Sequence, residues 1–156
     1  MNTLKTRLKD QRGFNLIELM IVIAIIGLLI GVGSYAWSAM IKSGNETAAQ
    51  QTLRSLQTYQ SQYASKHRGR FAPTYDELIK TVSLDEKFKG ETQATVSGYI
   101  FTMNVTDPTA SEPGKYAINA DPQGGTSGSQ HYYIDSSIGT IRVNDNEPAK
   151  VTDPSL

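Results

Sequence analysis

From Leu19 to Gly33 every residue of this 156-residue chain is apolar or glycine, and a single acid, Glu18, stands immediately before the run. With Phe14 to Ile17 in front and Ser34 to Trp37 behind, the segment supplies the ~20 residues that an α-helix needs to cross a bilayer. An all-round apolar helix must be covered by lipid or by other helices. Glu18 sits badly in such a segment. An ionised side chain at the centre of a membrane helix costs ~2.5–3.5 kcal/mol. An acid kept there is a functional candidate, and its partner has to be found. Ahead of it, Lys5, Arg7, Lys9 and Arg12 against Asp10 give residues 1–13 a net charge of +3. By the positive-inside rule that leader faces the cytoplasm and the rest of the chain lies across the membrane.

The helical pattern continues past the apolar run. Ser38 to Lys66 holds no proline and one glycine, Gly44. Ala49, Leu53, Leu56, Tyr59 and Tyr63 recur at helical spacing and predict one apolar stripe. Asn45, Gln51, Arg54, Gln57, Ser61 and Gln62 are assigned to the polar side. His67-Arg68-Gly69 predicts the end, with bases at the negative pole of the dipole and Gly69 as the cap. A helix from Phe14 to Lys66 would be ~80 Å long at 1.5 Å per residue.

Beyond it, Thr74-Tyr75-Asp76-Glu77 reads as a capping box opening a short helix, and Ser83-Leu84-Asp85-Glu86 repeats the pattern. The period then changes to two. Tyr99, Phe101, Met103 and Val105 form one alternating set, and Tyr116, Ile118 and Ala120 another. His131 to Asp135 and Thr140 to Val143 add two short runs. Four strands with short connections predict an antiparallel meander. Such a sheet can bury one face only, and the helix stripe is its natural cover. Asn144 to Leu156 reads as a loose tail. The predicted class is therefore α+β, a long N-terminal membrane-spanning helix whose second half packs on a small antiparallel sheet.

The junction Arg12-Gly13-Phe14, with Glu18 five residues into the segment that follows Gly13, resembles the class III signal of type IV pilins and the related pseudopilins. The resemblance implies the pilin fold and a membrane peptidase that cuts between Gly13 and Phe14 and methylates the new amine on Phe14. Glu18 would pair with that amine on a neighbouring subunit and set the filament register, with a pair inside one chain as the alternative. Asn15 departs from the family, where a small hydroxylated residue is usual. Gly27 and Gly31 share one face in a small-xxx-small arrangement that lets helices approach closely. Bundling of pilin helices in a filament core would use that face. Many relatives carry a proline near the position of Tyr35, and this chain has none there. The runs from Asn45 to Ser65, Tyr116 to Pro122, His131 to Asp135 and Gly139 to Arg142 also resemble pilin-like proteins.

On this reading, residues 1–13 are a cleaved leader, 14–37 the transmembrane and filament-core half of the helix, and 38–156 the soluble head. The expected function is that of a structural subunit, not an enzyme, which assembles from the inner membrane into a helical pilus. Its partners would be further copies of itself, minor pilins, the prepilin peptidase and the inner-membrane assembly machinery. The head would lie outside the cytoplasm. A type II secretion pseudopilin of the periplasmic pseudopilus is the alternative. The C-terminal half lacks the tryptophan-containing motifs of a major pseudopilin, which favours the pilus.

Composition narrows the rest. The chain has no cysteine, so the disulfide that closes a C-terminal loop in many pilins is ruled out and the tail must be held otherwise. Two histidines and no thiol argue against zinc, and no cofactor is expected. There is no phosphate loop, nucleophile elbow or H-E-x-x-H. Asp121, Asp135, Asp145 and Glu147 could offer oxygens to calcium, but their spacing fits no calcium loop. Lys66, His67, Arg68 and Arg70, with Tyr63 and Phe71 near, could offer a nucleic-acid patch. Bases at a helix C-terminus explain the cluster better. Without the leader the chain has 11 bases and 14 acids, a net of −3 that argues against general DNA binding. A secreted globular protein cut after Ser34-Tyr35-Ala36 is the remote alternative. Fifteen apolar residues are at the upper limit for an ordinary signal peptide, and Glu18 sits near the start of the run.

Overall fold

The computed structural model describes residues 14–156, in two units, one up to Trp37 and one from Ser38 onward. Helix α1 runs Leu16–Lys66. It begins two residues later than the apolar pattern suggested, because Asn15 caps it. The Asn15 Oδ1 accepts from the Ile17 amide at 3.2 Å, and its carbonyl accepts from the Glu18 amide at 3.0 Å. Side-chain capping of this kind satisfies donors that a helix start leaves open. In the N-terminal unit every described residue is exposed.

The C-terminal unit is an α+β domain. Helix α2 spans Tyr75–Val82, with Thr74 as its N-cap accepting from the Glu77 amide at 3.2 Å. A single 3₁₀ turn, Glu86–Phe88, follows. Five strands form the sheet: β1 Gln93–Val96, β2 Tyr99–Thr106, β3 Lys115–Pro122, β4 His131–Asp135 and β5 Arg142–Asn144. All neighbours are antiparallel and in chain order, so the predicted meander is correct. The prediction lacked β1. That strand pairs Val96 with Tyr99 across Ser97-Gly98. Both turn residues have positive φ, 51° and 74°. A two-residue hairpin with φ > 0 at both positions is the type I′ turn, whose twist suits the flanking strands.

One face of the sheet carries the core. Phe101, Met103, Ile118, Ala120, Tyr132 and Ile134 are fully buried, and Ala49, Leu53, Leu56 and Tyr63 of α1 belong to the same cluster. The stripe differs from its prediction at one position. Gln60 is fully buried, whereas Tyr59 is half-buried at the edge. The Gln60 amide explains this. Its Oε1 accepts from the Ala72 amide at 2.8 Å, and its Nε2 donates to the Ala72 carbonyl at 3.0 Å. One buried side chain thus satisfies both backbone groups of a buried residue in the chain leaving α1.

The end of α1 also differs in detail. Arg68, with φ 55°, takes the left-handed position, and the Gly69 amide bonds back to the Ala64 carbonyl at 2.9 Å. That is a Schellman closure with arginine where glycine was expected. Ser83, read as the start of a second capping box, is instead the left-handed C-cap of α2, and Asp85 caps the 3₁₀ turn.

The predicted loose tail is tied down. The Val143 amide donates to the Pro154 carbonyl and the Leu156 amide to the Ile141 carbonyl, both at 3.0 Å. Asn119, on the sheet face opposite Ile118, donates from Nδ2 to the Ala149 carbonyl at 2.9 Å, and Ala149 is buried. Asp153 accepts from the Lys150 amide and from Asn144 Nδ2. These bonds hold a terminus that no disulfide could hold.

Candidate functional site

The N-terminal unit holds the residues singled out for processing and assembly. Gly13 lies outside the described residues. Phe14 precedes the helix and is 84% exposed. With Asn15 as cap, Leu16, Ile17 and Glu18 occupy the first three helical positions. Glu18 is therefore in the first turn, where amides still without carbonyl partners and the positive end of the helix dipole favour a carboxylate. Sequence reasoning missed this cap. The signal was present: Asn15-Leu16-Ile17-Glu18 is an N-x-x-E pattern ahead of an apolar run. Asn15 supplies the oxygen that a small hydroxylated residue could supply there.

The Glu18 carboxylate makes no hydrogen bond or ion pair with another described residue. Beyond it, Leu19, Ile23, Ile26 and Ile30 are all about half exposed or more. So large a continuous apolar surface marks a membrane or interaction surface. A Cβ on Gly27 or Gly31 would meet nothing within 4 Å. The two glycines leave a flat strip four residues apart on one helix face, open to a neighbouring helix.

A family model, the prokaryotic N-terminal methylation motif, matches residues 8–34. This segment is the class III signal of type IV pilins and pseudopilins. The motif marks a pilin- or pseudopilin-like protein and implies processing by prepilin peptidase, N-methylation and assembly into pilus-like filaments with membrane machinery. The apolar helix is long enough to cross a membrane, and with the prepilin signal it marks a protein anchored in the membrane before assembly. A search of curated proteins finds no match to the chain.

The other residues considered from the sequence fall apart in the C-terminal unit. Asp121 holds the His131 ring at 2.6 Å. Asp145 accepts from Gln130, and Glu147 from Lys150. Asp135 is buried beneath the β4–β5 turn. Burial pushes its carboxyl up, but the Ser137 hydroxyl, the amides of Ile138 and Ser137 and the Tyr133 hydroxyl outweigh it and hold the acid below its ordinary range. Burial, and then the same contact with Asp135, push Tyr133 up to about 12. Among the described residues no three His, Asp or Glu side chains gather as a metal site.

The basic cluster is also dispersed in role. Lys66 donates to the Thr81 carbonyl at 3.3 Å, and His67 stacks on Tyr63 with centroids 3.9 Å apart while its Nδ1 meets the Tyr63 carbonyl. Phe71 packs edge-on against Tyr116. The Tyr63 face that His67 covers is closed to a stacked base.

Proposed function

We propose that this chain is a structural subunit, without enzymatic activity, of a type IV pilus assembled from the inner membrane. Prepilin peptidase cuts between Gly13 and Phe14, and the Phe14 amine is methylated. The Glu18 carboxylate then pairs with the Phe14 amine of a neighbouring subunit. Two charges brought into a dry filament core persist only when paired. Gly27 and Gly31 let adjacent helices approach, and the heads form the filament surface. The partners are further copies of the chain, minor pilins and the inner-membrane machinery, with the head outside the cytoplasm and no DNA bound. The observation that carries this reading is an unpaired carboxylate in the first turn of an exposed apolar helix, inside a matched methylation motif. The absence of tryptophan from the C-terminal half favours a surface pilus over a type II secretion pseudopilus.

Processing tests it first. Replacing Gly13 with leucine should leave the leader attached, read as the intact mass of the membrane-bound chain, and abolish filaments. A Gly13→Leu chain that still matures to Phe14 and builds filaments would overturn the assignment. Maturation at Ala36 would instead mark an ordinary signal peptide, because that product is 23 residues shorter.

A further inference from the structure

Two large aromatic side chains on α1 have no role in the reading above. Tyr35 and Trp37 are 83% and 66% exposed, just past the last residue of the unbroken apolar run. Neither takes part in the ring contacts of the head. Tyrosine and tryptophan concentrate where hydrocarbon meets water, since their rings are apolar and their O–H and N–H groups are polar. Glu18 and Trp37 lie about 19 residues apart on one continuous helix, or about 28 Å at 1.5 Å per residue. The hydrocarbon core of a bilayer is about 30 Å thick. The spacing therefore matches a single crossing.

We infer that Tyr35 and Trp37 form an anchor in the headgroup region of the outer leaflet, which fixes the depth of the helix and places Glu18 at the inner boundary of the hydrocarbon. This rests on the reading that the helix crosses the membrane. Every residue from Leu19 to Gly33 then lies within the hydrocarbon, and the polar groups begin at Ser34. Glu18 is not buried at the bilayer centre in the unassembled subunit. It meets the hydrocarbon only when the subunit moves outward, and the same movement pulls the aromatic pair out of its boundary. Both ends of the segment thus oppose displacement of a lone subunit.

Trp37 is the single tryptophan of the chain, so the protein carries its own depth probe. The full-length chain is reconstituted in phosphatidylcholine vesicles brominated either near the headgroup or near the chain terminus. Quenching of Trp37 should be stronger with the shallow bromines. Two moved-probe variants complete the measurement: Trp37→Phe with Leu28→Trp should be quenched more by the deep bromines, and Trp37→Phe with Ile17→Trp more by the shallow ones. Trp37 or the Ile17→Trp probe quenched more by the deep bromines would overturn the assigned depth while the crossing itself stands. So would a Trp37 untouched by either set in a chain whose Leu28→Trp probe is quenched. Shallow quenching at all three positions, or none at any, would overturn the membrane crossing instead.

Discussion

Helix α1 changes character along its length. Up to Trp37 all its residues are exposed, although most are apolar; from Ala49 to Tyr63 five positions on one face are buried against the sheet. The second stretch is explained by contacts within its own chain. The first is not: its apolar surface is exposed, and Glu18 has no side-chain partner among the described residues. The head is thus a self-sufficient domain in terms of its core, while the N-terminal segment is complete only in lipid or among other helices. Substitutions should divide in the same way, into those that change folding and those that change assembly.

The largest effect on folding should come from Leu53, which is fully buried beneath the sheet. In a chain lacking residues 1–37, Leu53→Asp should abolish the cooperative thermal transition. An unpaired carboxylate buried among apolar side chains costs more than a small domain has to spare. The parent truncation should be soluble and melt cooperatively. An unchanged melt in Leu53→Asp would mean that the stripe does not carry the core and that the contrast between the two stretches fails.

Gln60 should come next. Gln60→Leu keeps the apolar contacts but leaves the Ala72 amide and carbonyl buried without partners, at about 1–3 kcal/mol each. Denaturant unfolding of the truncated head should show a fall of that order at an unchanged slope. Destabilisation below about 0.5 kcal/mol would mean that water replaces the amide and that the clamp contributes little.

A smaller and pH-dependent effect belongs to Asp135. Its folded pKa lies below the unfolded value. Its contribution is therefore complete above the unfolded carboxylate pKa of about 3.9 and is lost as pH falls through the folded pKa. Asp135→Asn should lower stability at neutral pH by about 1 kcal/mol, and the gap to wild type should close in acid. A gap that stays constant from neutral to acid pH would show that the charge on Asp135 is irrelevant.

The sequence was informative where a pattern is local and missed what depends on distant pairs. The apolar run, the Arg12-Gly13-Phe14 junction, the helix stripe and the alternation of Tyr99, Phe101 and Met103 are each readable within a few residues. Gln60 was assigned no core role because nothing local marks a glutamine that will meet Ala72. Strand β1 was missed because Gln93-Ala94-Thr95-Val96 holds one large apolar residue, although Ser97-Gly98 was an available turn signal. The tail looked loose because part of its order comes from Asn119 and Arg142, on strands β3 and β5, reaching into it. Within the candidate site, Glu18 and the glycine pair were singled out from the sequence, and the structure places all three on the exposed stretch of α1. The Asn15 cap was legible too but was passed over as a departure from the family.

The central claim is that Glu18 serves assembly and not folding or insertion. Its most direct test is the distribution of Glu18→Ala between the membrane fraction and the sheared filament pellet of the same cells. The variant should insert and lose its leader as the wild type does, since the leader is untouched and an acid at the boundary of the hydrocarbon adds little to the insertion cost. It should be absent from the filament pellet and return there in part when wild-type chain is co-expressed. Glu18→Ala recovered in filaments at the wild-type level would contradict charge pairing and leave apolar packing as the only force joining the helices.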